Sequence, residues 1–245
     1  MKKIIASITM LAAGAALAST VTSAQTFGVL KVTSSKAETV ICVPWVAAGT
    51  GGDIKVKDVV KTSGLTKGSD EYGTNGDVLL KYDGSTYYGW ALNNDGEWVG
   101  LAVVVRTGET ATAGDDETLA RGDALIIRRS APANPGEIYL YGQYESDPVG
   151  TKTLTLNAWN LIAPPDTTGN TISLNSLTWG NVGANDVIYV QAANGNRIEL
   201  TRNSGNTQWV YKALTEDASK AVIQPGQGAW YVSKETTGDA PTVTF

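Results

Sequence analysis

Beyond its first two dozen residues the chain alternates apolar and polar positions over short runs, and each run stops at Gly, Asn, Asp or Pro. In "KTLTLNAW" the apolar Leu154 and Leu156 alternate with Thr153 and Thr155, and in "TISLNSL" Ile172 and Leu174 do the same. A period of two places every second side chain on one face, the pattern of a half-buried strand. Turn dipeptides stand between the runs, at Asp83-Gly84, Asp95-Gly96, Asn194-Gly195 and Ser204-Gly205. The pattern predicts an all-β protein.

The runs also recur as a set. "GDVLLKYDGSTYYGWALNNDGEWV" (76–99) lines up with "NDVIYVQAANGNRIELTRNSGNTQWV" (185–210), so that Trp98 falls on Trp209. "TVICVPW" falls near "AWNLIAPP", each a strand ending at a proline, Pro44 or Pro164. "ARGDALIIRR" falls on "QPGQGAWYVS", with Gly122 on Gly226, and "FGVLKVT" resembles "EIYLYGQ". This spacing predicts two related β-sandwich or β-barrel-like repeats, residues 25–136 and 137–245. The first carries longer loops, "TKGSDEYGTNG" and "VRTGETATAGDDET", where the second has the shorter "LTEDASKA" at the latter place. Whether the repeats share strands is left open. The C-terminal "APTVTF" stands where a further copy would begin, and an unpaired strand there would suit self-association by strand addition.

The first 24 residues add an address. Lys2 and Lys3, an Ala-rich apolar run and the small residues Thr22-Ser23-Ala24 form a secretory signal peptide, cut after Ala24 or after Ala18. The expected location is secreted, periplasmic or at the outer cell surface. No later apolar stretch reaches the ~20 residues of a membrane helix, so no membrane span is expected. The chain has 19 Lys+Arg and 24 Asp+Glu, a net charge of −5, which becomes −7 without Lys2 and Lys3. An acidic chain without a basic run is a poor partner for nucleic acid. The lone Cys42 permits no internal disulfide and reads as a small buried hydrophobe.

Three stretches resemble a known group. They are Gly28-Val29-Leu30-Lys31-Val32-Thr33, Val43-Pro44, and Pro225-Gly226-Gln227-Gly228-Ala229-Trp230-Tyr231-Val232. Together they are similar to an uncharacterised, secreted, β-rich family with many paralogues in verrucomicrobial-type bacteria. The chain departs from that pattern at Arg121-Gly122, where the family has Pro-Gly. The resemblance implies secretion and fold, and brings no activity with it.

The chemistry available is limited by what is missing. The chain contains no histidine, which excludes Ser-His-Asp and Cys-His nucleophiles and His-ligated metal centres. Phosphate-binding glycine loops are absent as well. A carboxylate pair for glycoside hydrolysis needs no histidine; its candidates are Asp95, Glu97, Asp115, Asp116 and Glu117, all in turn-like context. Calcium needs only oxygens, yet "GDDET" and "NNDGE" lack the EF-hand spacing. No catalytic residue, metal or cofactor is therefore assigned, and the chain reads as a non-enzymatic protein. Its role is binding, adhesion or surface structure, with a carbohydrate-binding module or glycoside-active enzyme as the alternative.

Aromatic residues can be sorted by the repeat. Trp98 and Trp209 match each other, and Trp230, Tyr231 and Tyr87 fall on Ile126, Ile127 and Ile198, so all read as packing. Tyr88 and Trp90 fall instead on the polar Glu199 and Thr201, and their spacing puts them on one face. They are the candidate ligand-binding pair, for cell-surface polysaccharide or a protein partner. Arg121-Gly122-Asp123 matches an integrin-recognition tripeptide, but its match to Pro225-Gly226-Gln227 reads as a glycine turn before a strand.

Overall fold

The computed structural model describes residues 27–34, 37–43, 54–56, 60–82, 86–106, 109–114, 118–132, 136–143, 150–165, 170–192, 194–214 and 217–245. The segment expected to be a signal peptide and the Asp115–Glu117 run lie outside the described residues.

The protein is all-β. Its first strands are β1 (Phe27–Ser34), β2 (Glu38–Cys42), β3 (Ile54–Lys55), β4 (Val60–Ser63), β5 (Val78–Tyr82), β6 (Tyr87–Leu92) and β7 (Trp98–Gly100). They are followed by β8 (Val104–Arg106), β9 (Glu109–Thr110), β10 (Thr112–Ala113), β11 (Thr118–Leu119), β12 (Ala124–Arg128) and β13 (Gly136–Gln143). The second half holds β14 (Thr151–Thr153), β15 (Trp159–Ile162), β16 (Ile172–Ser173), β17 (Thr178–Gly180) and β18 (Val187–Gln191). It ends with β19 (Arg197–Arg202), β20 (Trp209–Tyr211), β21 (Val222–Ile223), β22 (Ala229–Val232) and β23 (Thr242–Thr244).

Strand order is the same in the two halves. In the first, a three-stranded sheet β1-β13-β4 faces a sheet ordered β10-β6-β5-β12-β2, with β7 also on β6. In the second, β14-β23-β17 accompanies β15-β22-β18-β19-β20, and the ribbon β16-β21 stands where the first half has β3-β11. Among the described residues of the second half, strands β8, β9 and β10 have no counterpart. Among the described residues no sheet closes on itself, so the arrangement is sandwich-like rather than a barrel.

Two strands sit elsewhere than their sequences suggest. Gly136–Gln143, expected to open the second copy, pairs with β1 over eight residues and with β4 on its other side. Its likeness to β1 reflects two alternating strands filling one sheet, not the start of a new copy. Thr242–Thr244, expected as a free terminal strand, is central between β14 and β17. Both its edges are hydrogen-bonded, so it has none left for strand addition.

Each half packs one core between its sheets. In the first, Leu79, Trp90, Leu92, Leu125 and Ile127 meet Val32, Ile138 and Leu140. In the second, Ile188, Leu200, Trp209 and Tyr231 meet Leu154 and Val243. A third cluster lies on the outer face of β2 and β12 and joins the halves: Val40, Cys42, Leu80 and Ile126 pack with Leu161, Ala163 and Trp230. Cys42 is fully buried there, as expected, and its thiol donates to the Ala163 carbonyl at 3.4 Å. The free edge of β2 is closed by the turn before β22. Cys42 N–H donates to Gly226 O (2.9 Å) and Gly228 N–H to Val40 O (3.0 Å). A Cβ on Gly228 would stand 2.6 Å from Ile162 O, so only glycine allows this approach.

Candidate functional site: an aromatic groove beside Arg197

Strand pairing fixes which residues of the two halves share a position. Leu79 lies opposite Trp90 and Ile127, while Ile188 lies opposite Leu200 and Tyr231. Trp90 therefore corresponds to Leu200, and by the same pairing Tyr88 corresponds to Ile198. The second half is one residue longer in each of its two turns, 192–196 against 83–86 and 203–208 against 93–97. Assigning both extra residues to the first turn slides β6 by one and reverses its faces. That slip made Tyr88 and Trp90 look solvent-facing.

In the fold they belong to the core. Trp90 is 2% exposed and Tyr88 is half-buried against the same cluster. The Trp90 ring is closed off by Gly114, where a Cβ would come within 2.4 Å of it. The inserted segment does this, since β10 pairs in parallel with β6 and Gly114 N–H donates to Gly89 O at 3.0 Å. The Tyr88–Trp90 pair is thus corrected to a packing role.

The same inserted segment covers the outer face of the first large sheet. Val103 and Ala111 pack beside Leu80 and Tyr87, and a Cβ on Gly89 would meet Leu101 O at 2.5 Å. Among the described residues the second half has no such segment, and the part of the equivalent outer face not packed against the first half is aromatic. Trp230 stands directly across from Tyr189, at the places of Ile126 and Leu80. Trp159 stacks on Tyr189 with centroids 5.5 Å apart and planes 12° apart, and meets Trp230 edge-on at 5.7 Å. All three rings are half-buried.

A groove of about 370 Å³ opens along this face, within the range of small-ligand sites. Tyr189, Trp230, Gln191, Asn196 and Arg197 line it from the second half, and Glu38 and Val40 from the first. The Arg197 guanidinium lies 3.9 Å over the Tyr189 ring and 5.5 Å from that of Trp159, a cation–π arrangement. The Gln191 amide donates to Gly195 O at 3.1 Å, which fixes its orientation. Its Oε1 is buried and accepts no hydrogen bond among the described residues.

The remaining sequence candidates do not converge. Asp95 and Glu97 are exposed residues of one turn, where Lys67 Nζ donates to the Asp95 carbonyl and Glu97 N–H donates to Asn93 Oδ1. Among the described residues no group of His, Cys, Asp and Glu is placed to hold a metal ion, and no helix is long and apolar enough to cross a membrane. Gly122 and Gly226 both have positive φ, 88° and 69°, as a glycine turn requires. Asp123 points back into that turn, accepting from Ala120 N–H (2.9 Å) and pairing with Lys81 at 3.0 Å.

The groove residues carried one readable signal. Trp159 lies at the place of Glu38, since Glu38 pairs with Arg128 in β12 and Trp159 with Val232 in β22. A tryptophan whose counterpart is charged meets the same criterion that singled out Tyr88 and Trp90. No protein-family model, curated protein or solved structure matches the chain.

Proposed function

We propose that this is an exported, non-enzymatic β protein built of two related modules, and that it binds glycan in the groove walled by Tyr189 and Trp230. One observation carries this reading: beside its contact with the first half, the second half furnishes with three half-buried aromatic rings the sheet face that the first half covers with its own chain. Aromatic rings offer broad apolar area with little side-chain entropy to lose, and the apolar faces of sugar rings match them. Arg197, exposed at the rim, supplies N–H groups for sugar oxygens. The N-terminal sequence expected to direct secretion supports a location where cell-surface polysaccharide is encountered.

Retention of the mature protein on a panel of immobilised cell-surface polysaccharides tests the reading. Wild type is retained on at least one polymer, Tyr189→Ala passes through, and no soluble sugar is released. Equal retention of Tyr189→Ala, with its unfolding midpoint checked to be that of a folded protein, overturns the site. Release of sugar overturns the non-enzymatic reading.

A further inference from the structure

Charge around the groove is unevenly settled. Glu38, at its first-half wall, is held by Arg128 through Nε at 3.0 Å and Nη2 at 2.8 Å. Glu199, next to Arg197 on the same face of β19, is held by Lys212 at 2.7 Å. Arg197 has no such partner. Its guanidinium face rests on Tyr189, and no acceptor among the described residues takes its N–H groups. A guanidinium stacked by its face on a ring keeps its N–H edge free and preoriented for a planar anion. The acidic groups lining or bordering the groove are paired while its cation is not, so the groove is locally positive on a protein whose net charge is −5.

From this, and resting on the glycan reading, we infer that the ligand is an acidic polysaccharide bearing uronate carboxylates. The carboxylate takes the N–H edge of Arg197 in a bidentate contact. The sugar ring's C–H face lies on Trp230. Trp159 stacks on Tyr189 and meets Trp230 edge-on. A lysine at 197 keeps the charge and loses the planar fork, so it separates charge from geometry.

The experiment compares binding of a polyuronate with binding of the same polymer after its carboxyl groups are reduced to alcohols. The proteins are wild type, Arg197→Gln, Arg197→Lys and Tyr189→Ala. Wild type prefers the polyuronate by about tenfold or more, as a charge-assisted hydrogen-bond pair implies. Arg197→Gln loses that preference, while Arg197→Lys falls between. The preference also shrinks as salt is raised. Equal binding of both polymers by wild type, or an unchanged preference in Arg197→Gln, overturns the acidic-ligand inference and leaves glycan binding standing. Binding of neither polymer by wild type overturns the acidic-ligand inference and, where nothing on the wider polysaccharide panel retains the protein, the glycan reading as well; full binding of both polymers by Tyr189→Ala overturns the site.

Discussion

Asp77 and Arg129 form an ion pair at 2.7 Å in which neither side chain reaches solvent. The Asp77 carboxylate also accepts from Thr66 N–H, Ser130 N–H and the Ser130 hydroxyl, at 2.7–2.9 Å, and ties the strand ends of β5 and β12 to the preceding loop. Asp186 holds the matching place in the second half, accepting from Gly183 N–H and Lys234 N–H. There the arginine is absent, Ser233 stands at its position, and the Tyr231 hydroxyl donates to the carboxylate instead. Two solutions to one buried carboxylate give different mutational behaviour.

Arg129→Met leaves Asp77 buried with its backbone donors and without a counter-charge. The expected loss is about 3–5 kcal/mol of stability, the usual result of removing one partner of a buried pair. Urea unfolding checks this through a lowered midpoint with an unchanged slope.

Tyr231 responds to alkali. Burial first, and then its hydrogen bond to Asp186, push its phenol well above the usual tyrosine range. The folded chain therefore keeps a proton that the unfolded chain gives up near the ordinary tyrosine value of 10.0. The corresponding stability is present below about pH 10 and declines as pH rises beyond it. Tyr231→Phe costs about 1–3 kcal/mol near neutrality, because Asp186 loses a donor. It also flattens the alkaline decline, which unfolding midpoints measured across that range would show.

Gly114→Ala tests how the inserted segment lies on Trp90. The added methyl has no room beside the indole, so about 1–3 kcal/mol is lost if the fold yields locally. Acrylamide quenching of tryptophan fluorescence rises as Trp90 gains access to solvent. Unchanged stability and unchanged quenching together would show that the segment does not seal the ring.

Lys152 is an inward-facing lysine of β14 whose amine burial holds below its ordinary value, with Lys81 adding to the effect and Asp123 and Cys42 opposing it. The unfolded chain binds that proton more tightly, so stability rises with pH in the window just below 10.5. Lys152→Met removes this rise and increases the urea midpoint at neutral pH. A steeper pH dependence in the variant would contradict the assignment.

Alternation and turn dipeptides determined that the chain is all-β, because a two-residue period and glycine turns act locally and need no knowledge of neighbours. The match between the two copies gave the burial of Trp98 and Trp209 and the glycine turn at Arg121-Gly122-Asp123, and the apolar run around the lone Cys42 gave its burial. Tertiary structure decided which strand lies beside which. Gly136–Gln143 and Thr242–Thr244 read as openings of new copies, yet hydrogen bonding makes each the middle strand of its sheet. It also decided the faces of β6, where one residue in each of two turns separates a buried Trp90 from an exposed one. Alternation is blind to such a slip, since a strand shifted by one residue alternates equally well. The groove at Tyr189, Trp230 and Arg197 exists for the same kind of reason: whether an outer sheet face is open depends on a loop that covers it in one half and is missing in the other, and only packing records that.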